Sequence, residues 1–438
     1  MSSPPSVPLP KPVQTLRFLG RPIPFMEHWR RELGETFHAS FYGPGEVVFV
    51  SSAESVKAVF TRDRVNTIAG GRNLLLSPLL GQQSLLLQEG EEHMRRRKLM
   101  LPPFHGERMR AYEDVIADVT HLAIARWHEG EPFPLHPTMQ EITLEVILRA
   151  VFGVSDGARH DELADGLREI LEATASPKAV GLLLPVVRDS PPYRRLRGLI
   201  ERVDELLASE ISERRSDPGI AKRDDILAML IQARFDDGTE MSDREVRDQL
   251  MTLLLAGHET TATGLAWAFD LLFRNPEQLA RLTEEVRSGD EHTYTDAVIE
   301  ETLRVRPVVP FTGRELREPT TLDGFDFEPG QVILVAMWLT HTRPDIYPDP
   351  FAFRPERFLD GSTETYSWIP FGGGTRRCIG AAFAELEMRV ALRTILRECE
   401  LRPASEGPER PIRRNVTMSP AGGTPAVIKR RAGVLVPS

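Results

Sequence analysis

The sequence predicts a mainly α protein, a large helical bundle with small peripheral β-sheets. Its 438 residues, 41% of them hydrophobic, can bury one large core. From about residue 100 to 310, apolar residues recur every three or four positions, as in amphipathic helices. Strand-like stretches are short and far apart, at residues 46–50, 331–335 and 426–430. We therefore expect a small sheet built from distant segments.

Neither an internal repeat nor a linker divides the chain, so we expect a proline-rich tail over residues 1–15 and one domain over residues 16–438. The prolines between Met1 and Pro12 predict that this start is not helical. Because it lacks a membrane-length apolar run, we expect a soluble cytoplasmic protein without a membrane anchor. The net charge of -10 argues against nucleic acid as a partner. The two cysteines are too few for a disulfide framework and indicate a reducing compartment.

A glycine-rich loop from Phe371 to Gly380 precedes a predicted helix that runs from Ala381 to about Arg397. Cys378 lies just before that helix, where free backbone N–H groups and the helix dipole favour a thiolate. Glycines also let the backbone approach a flat cofactor closely. A buried structural cysteine is the alternative. A Walker-type phosphate loop is excluded because the Gly-Lys-Ser/Thr ending is missing.

A long helix is predicted from a capping box at Ser242 to Asn275. Its middle, residues 256–261, contains a glycine and two threonines, which are poor helix formers. Such a local departure from helix preference indicates a functional site. A threonine hydroxyl there can loosen the helical hydrogen bonds, and a glycine can leave room for a diatomic molecule. A zinc motif at His258 is disfavoured because no second histidine follows four residues later.

Glu301 and Arg304 stand three residues apart in a helix predicted to end before Pro307. An ordinary exposed ion pair is one interpretation of this spacing. The following stretch, residues 341–358, is rich in proline and aromatic residues and therefore predicts a long ordered loop.

Three of these segments together resemble the cytochrome P450 family. The glycine-rich loop matches its haem-binding signature Phe-x-x-Gly-x-Arg-x-Cys-x-Gly at Phe371, Gly374, Arg376, Cys378 and Gly380. The middle of the long helix resembles the family's oxygen-activation motif, Ala/Gly-Gly-x-Asp/Glu-Thr. Arg357, in a Pro-Glu-Arg-Phe segment, resembles the residue that joins the Glu-x-x-Arg pair. The resemblance extends from about residue 20 to 430 and implies the cytochrome P450 fold around a buried haem.

The resemblance also implies residue roles. Cys378 would be the proximal ligand of the iron of haem b, and Arg376 would pair with a haem propionate. Glu259 and Thr260 would deliver protons to dioxygen. A buried structural network would join Glu301, Arg304 and Arg357. The further residues expected to bind the cofactor are His93, Arg97, Ala256, Arg314, Phe371, Gly372 and Gly380.

The implied activity is that of a monooxygenase with O2 as co-substrate, and the Glu-Thr pair favours O2 over hydrogen peroxide. No Gly-x-Gly-x-x-Gly follows a strand, so electrons should come from a ferredoxin and a ferredoxin reductase that uses NAD(P)H. We expect the basic residues 95–98 and 376–377 to share a surface that attracts an acidic ferredoxin.

Apolar segments predict an apolar small-molecule substrate, although core packing is the commoner use of such residues. The residues chosen as substrate contacts are Leu86, Leu183, Leu253, Val309 and Thr417. Residues 79–87 and 101–109 resemble a cyanobacterial and myxobacterial branch associated with fatty acids and terpenoids. Two alternatives remain open: a haem protein that isomerises or dehydrates an oxygenated substrate without a reductase, and a non-enzymatic carrier or haem sensor.

Overall fold

The computed structural model describes residues 3–62, 67–68, 76–106, 108–155, 157–175, 190–289, 291–361 and 365–431. Most of them are helical, as the sequence predicts. The helices are α1 Lys11–Gly20, α2 Pro22–Leu33, α3 Ala53–Thr61, α4 Ser77–Leu80, α5 Gly90–Met100, α6 Arg108–Ala125, α7 Leu135–Val146, α8 Ala158–Ala175, α9 Pro191–Ser216, α10 Ile226–Gln232, α11 Asp243–Arg274, α12 Pro276–Ser288, α13 Thr293–Val305, α14 Met337–His341 and α15 Ala381–Glu398. Among the described residues, no helix is both long and apolar enough to cross a membrane.

Short strands form four small sheets at the edge of this helical body. The strands are β1 Thr36–Phe41, β2 Gly45–Val50, β3 Thr67–Ile68, β4 Phe133–Pro134, β5 Thr312–Leu316, β6 Thr320–Leu322, β7 Phe325–Phe327, β8 Val332–Val335, β9 Cys399–Pro403, β10 Pro411–Arg414, β11 Thr417–Pro420 and β12 Pro425–Arg430. The largest sheet has the order β1-β2-β8-β5-β3, and the others are β4-β12-β9, β10-β11 and β6-β7.

Two of the three distant strand segments pair as expected. Strands β2 and β8 run parallel, with Val48 opposite Ile333, and the other neighbours in that sheet are antiparallel. The third segment, β12, joins a different sheet, where Ile428 lies opposite Leu401 of β9. The sequence therefore predicted the strands correctly, whereas their division between two sheets depends on tertiary packing.

The start of the chain differs from the expected tail. Helix α1 begins at Lys11, with prolines just before it and at its first turn, where a missing N–H breaks no helical hydrogen bond. Val7 is buried and its N–H donates to the carbonyl of His38, so this segment is packed against β1. The expectation that residues 1–12 contain no helix is therefore wrong from Lys11 onward.

Helix α11 is the central element of the helical body. It begins at the predicted capping box, in which the Ser242 side chain accepts from the Glu245 N–H and the Glu245 side chain accepts from the Ser242 N–H. Its C-terminal half is almost entirely buried, and Trp267 donates from Nε1 to the carbonyl of Met418 at 2.7 Å. Because both ends of the helix are fixed, the middle turn at residues 256–261 has a defined position.

Candidate active site

The loop that carries Cys378 is a closed hydrogen-bonded turn. Gly372 has a φ of 67°, a conformation that favours glycine, and its N–H donates to the carbonyl of Ile369. The N–H of Cys378 donates to the carbonyl of Phe371 at 2.9 Å. A Cβ atom added at Gly373 would lie 2.4 Å from the Phe60 ring, so this glycine allows the loop to pack against α3.

The thiol of Cys378 faces an internal space. Its side chain is accessible, yet burial raises the pKa of the thiol because protein surrounds it. The N–H of Gly380 and the charges of Arg97 and Arg377 act in the opposite direction and favour the thiolate. Since Gly380 is the N-cap of α15, the predicted position of Cys378 before a helix N-terminus is confirmed.

Several cationic side chains lie on the elements around this thiol. The pKa of Arg97 is lowered by burial, while the nearby Cys378 acts to raise it. Arg314 is buried and donates to the carbonyl of Gly373 at 3.2 Å, and His93 is also buried. Arg376 donates to the carbonyls of Leu85 and Gln88. A soft thiol beside buried cations is a donor set that fits an iron porphyrin with carboxylate side groups.

The middle of α11 also borders open space, because Ala256 is exposed although most of the surrounding helix is buried. The hydroxyl of Thr260 donates to the carbonyl of Ala256 at 2.7 Å. This local hydrogen bond is the arrangement expected of a threonine that competes with the helical ladder. Residues 256 and 260 therefore share one accessible face of α11.

Glu259 points to another face of the same helix, toward α7 and the β10-β11 hairpin. Its carboxylate accepts from the side chain of Gln140 and from the Ser419 hydroxyl at 3.4 Å. Arg414 Nε lies 3.5 Å and His136 Nε2 3.6 Å from Glu259 Oε1. Burial raises the pKa of Glu259, while Arg414 and the hydrogen-bond donors partly oppose the rise. The Glu259 carboxyl is therefore held in a polar but partly dehydrated setting.

Glu301 and Arg304 form a fully buried ion pair, with Arg304 Nε 2.6 Å and Nη2 2.8 Å from the two carboxylate oxygens. Arg357 lies on the other side, with Nε 3.4 Å from Glu301 Oε1. Since neither Glu301 nor Arg304 is accessible, the exposed-pair interpretation is wrong for this spacing.

Arg304 connects this ion pair to the loop that carries Cys378. Its Nη1 donates to the carbonyls of His341 and Pro350, each at 2.8 Å. Nε2 of His341 accepts from the N–H of Ile369 at 2.8 Å, and burial lowers the pKa of this histidine to about 3, so it stays a neutral acceptor. The carbonyl of Ile369 then accepts from Gly372. Hydrogen bonds thus lead from α13 to the Cys378 loop.

The sequence predicts that residues 95–98 share a basic surface with residues 376–377. Arg97 does lie close to Arg377, whereas the other three basic residues pair with carboxylates. Arg95 and Lys98 pair with Asp237 and Asp236, each at 2.5 Å. Arg96 is buried between Glu92 and Glu245, as shown by ion pairs of 2.5 and 2.9 Å. Glu92 is four residues from Arg96, a spacing that the sequence shows, but Asp237, Asp236 and Glu245 lie 142, 138 and 149 residues from their partners, so sequence spacing could not reveal them.

The five expected substrate contacts occupy different environments. Leu86 is 37% exposed, Val309 is partly buried and Leu253 is buried. Thr417 is buried and its hydroxyl donates to the carbonyl of Arg414, so it stabilises the β10-β11 turn. Leu183 lies outside the described residues.

The sequence did not reveal the residues that surround Glu259 or the histidine that links the loops. Gln140, Ser419 and Arg414 come from segments far from Glu259 in the chain, and no local motif marks them. His341 is the last residue of α14, at the start of the proline-rich stretch, and its role depends on its contact with Ile369.

Comparison with known proteins gives consistent matches. The family model described as Cytochrome P450 matches residues 2–425. Cytochrome P450 135B1 of Mycobacterium tuberculosis is 41% identical over 431 residues, which cover 97% of this chain and 90% of that protein. Cytochrome P450 138 of the same species is 38% identical and covers 98% and 96%. The structure of cyanobacterial CYP120A1 with bound retinoic acid has a TM-score of 0.85 at 25% identity, covering 98% of this chain and 99% of that chain.

Replacing Arg304 with Ala should lower the free energy of unfolding by about 3–5 kcal/mol and reduce haem content, because Glu301 would remain buried without its partner. Urea denaturation and haem absorbance per polypeptide measure both effects. Arg354→Ala is the matched control, since the Arg354–Asp349 pair is exposed and should contribute less than about 1 kcal/mol. Equal losses in the two variants would contradict the importance of the buried pair.

Proposed function

The chain belongs to the cytochrome P450 family, and on that premise we propose that it oxidises an apolar fatty acid, terpenoid or similar substrate with electrons from a ferredoxin. It is a haem-thiolate monooxygenase with haem b as cofactor and O2 as co-substrate. The observation that carries the proposal for its site is the accessible Cys378 thiol before α15, with Arg97 and Arg377 close by.

Cys378 would hold the haem iron through its sulfur, while Arg314, Arg97, His93 and Arg376 would provide positive charge or hydrogen bonds near the propionates. When bound, the haem supplies the iron at which O2 is reduced and one oxygen atom is transferred to the substrate. The N–H of Gly380 donates to the sulfur, which limits its basicity.

Glu259 and Thr260 would supply protons to this site. Thr260 presents its hydroxyl on the accessible face of α11, whereas Glu259 holds its carboxyl in the polar cluster of Gln140, Ser419 and Arg414. Burial raises the pKa of the Glu259 carboxyl, so it holds a proton more readily than an exposed glutamate does. The two residues together therefore favour reduction of O2 over a role as a passive carrier.

The first test is the carbon monoxide difference spectrum of the dithionite-reduced holoprotein. We expect the red-shifted Soret band of a thiolate-ligated haem, and we expect Cys378→Ala to lose it. Cys399→Ala is the matched control, because Cys399 is buried at the far end of α15. A spectrum of imidazole type, or one that Cys378→Ala leaves unchanged, would exclude Cys378 as the ligand.

The substrate class is supported by the apolar side chains at Leu86, Leu253 and Val309 and by the retinoic acid in the CYP120A1 structure. Retinoic acid is an isoprenoid carboxylate, so it combines the chemistry of the two proposed substrate classes. For an apolar substrate, burial of apolar area would be the main source of affinity.

Titration of the ferric holoprotein with retinoic acid and with lauric acid should shift the haem spin state, whereas citrate should not. Val309→Asp should weaken binding of both apolar acids at least about tenfold, which corresponds to about 1.4 kcal/mol. The Soret difference spectrum measures both the spin-state shift and the affinity for each acid. Equal responses to citrate and lauric acid would contradict an apolar substrate.

The proposed ferredoxin would contact the surface at Arg377, which is exposed and close to Cys378, rather than Arg95 and Lys98, which pair with Asp237 and Asp236. A cytoplasmic location stays a prediction from the presence of only two cysteines.

Arg377→Gln should slow reduction by spinach ferredoxin and its reductase severalfold at low salt, with a smaller effect at high salt, because attraction between exposed charges is screened. Stopped-flow absorbance measures the rate. Arg95→Gln is the control, since Arg95 is paired with Asp237. Equal rates for Arg377→Gln and the wild type would exclude this surface.

A further inference from the structure

A cavity of about 220 Å³ lies on the side of α11 that carries Leu255 and Glu259, next to the face with the accessible Ala256 and Thr260. Its floor includes Leu255, His258 and Glu259, and its rim includes exposed residues of α7 and α8, among them Pro137, Glu141, Arg168 and Glu172. Since the rim is exposed and the floor is partly or fully buried, the cavity connects the protein surface with the Glu259 carboxyl.

Residue spacing along α11 separates this cavity from the accessible face. Residues 255 and 259 are one helical turn apart and line the cavity, whereas residues 256 and 260 are the next such pair. The cavity and the accessible face therefore border neighbouring faces of one helix. Glu259 and Thr260 are consecutive residues, one on each of these faces.

The β10-β11 hairpin places a cation and a hydroxyl against Glu259. Arg414, which lines the cavity, lies 3.5 Å from the carboxylate, and Ser419 donates to it from the other strand. The turn between them contains Asn415, whose φ is 52° and whose side-chain amide donates to the carbonyl of Thr174 at 2.6 Å. The turn is thereby anchored to α8, which fixes where Arg414 can reach.

We propose that Arg414 is a positioning residue for proton supply, which holds the Glu259 carboxylate at the floor of this cavity, where it takes up protons from solvent. This inference rests on the proposed role of Glu259. The carboxylate takes one proton from the solvent that the cavity admits, and then gives that proton to the Thr260 hydroxyl as this hydroxyl releases its own proton on the accessible face. Each cycle thus moves one proton, regenerates the carboxylate and the hydroxyl, and involves no electron.

The other titratable groups near the carboxylate cannot replace Arg414. Burial lowers the pKa of His136 to about 3 and that of His258 to about 4, so both are neutral at neutral pH. Glu141 and Glu172 at the rim carry the opposite charge. Arg168 also lines the cavity, but it pairs with Asp165 at 2.7 Å. Removal of Arg414 should therefore raise the pKa of Glu259 further.

The test compares air reoxidation of the dithionite-reduced holoproteins across pH, in H2O and in D2O. In a plot of reoxidation rate against pH, Glu259→Gln should abolish the pH-dependent limb, meaning the part of the rate that requires the protonated carboxyl. Arg414→Gln should move the midpoint of that limb to higher pH by about one unit, the usual effect of losing one nearby opposite charge. Arg414→Lys should restore part of the wild-type profile. The infrared carboxyl band of Glu259, assigned with Glu259→Gln, should titrate with the same shift.

Arg413→Gln is the matched control. Arg413 is the neighbouring arginine of β10, and its Nε donates to the carbonyl of Asn415 at 2.8 Å, so it supports the turn without pairing with Glu259. An unchanged Arg414→Gln profile, or an equal shift in Arg413→Gln, would overturn the positioning role. A carbon monoxide spectrum without the thiolate band in the wild type would instead overturn the proposed function itself.

Discussion

The position of Cys378 depends on the buried Glu301–Arg304 ion pair. Arg304 uses its remaining N–H groups on the carbonyls of His341 and Pro350, so one guanidinium fixes α13 and the long loop after α14 together. His341 in turn accepts from the loop that closes on Cys378. Buried charges require full pairing, because an unpaired one would cost several kcal/mol. This requirement favours a single arrangement of the Cys378 loop, which the proposed iron ligand would need to meet a flat cofactor.

Helix α11 organises the other side of the site. Its ends are held by the capping box and by the buried C-terminal half. The low helix propensity of a glycine and two threonines therefore affects only the middle turn. There an accessible face, with Ala256 and Thr260, adjoins the face that lines the Glu259 cavity. In the proposed function, protons would enter through this cavity, while substrate and O2 would bind at the accessible face.

The same balance of forces acts on the sulfur and on the carboxyl. Burial raises the pKa of Cys378 and of Glu259, and in each case nearby arginines and hydrogen-bond donors oppose it. For Cys378 these groups favour the thiolate, which is the form that the proposed iron ligand requires. For Glu259 they keep the carboxyl able to exchange its proton. The surroundings thus adjust two different acids for two different tasks with one kind of interaction.

The sequence by itself determined the helical class, the limits of α11 and α15, and the place of Cys378 before a helix, because caps, glycines and apolar periodicity are local signals. It also marked Glu301 and Arg304 by their spacing on one helical turn. Only the tertiary structure decided that β12 leaves the main sheet, that Arg95 and Lys98 are neutralised, and that Arg414 faces Glu259. Those contacts join segments far apart in the chain, and charge pairing at such separations follows from packing, which no local pattern encodes.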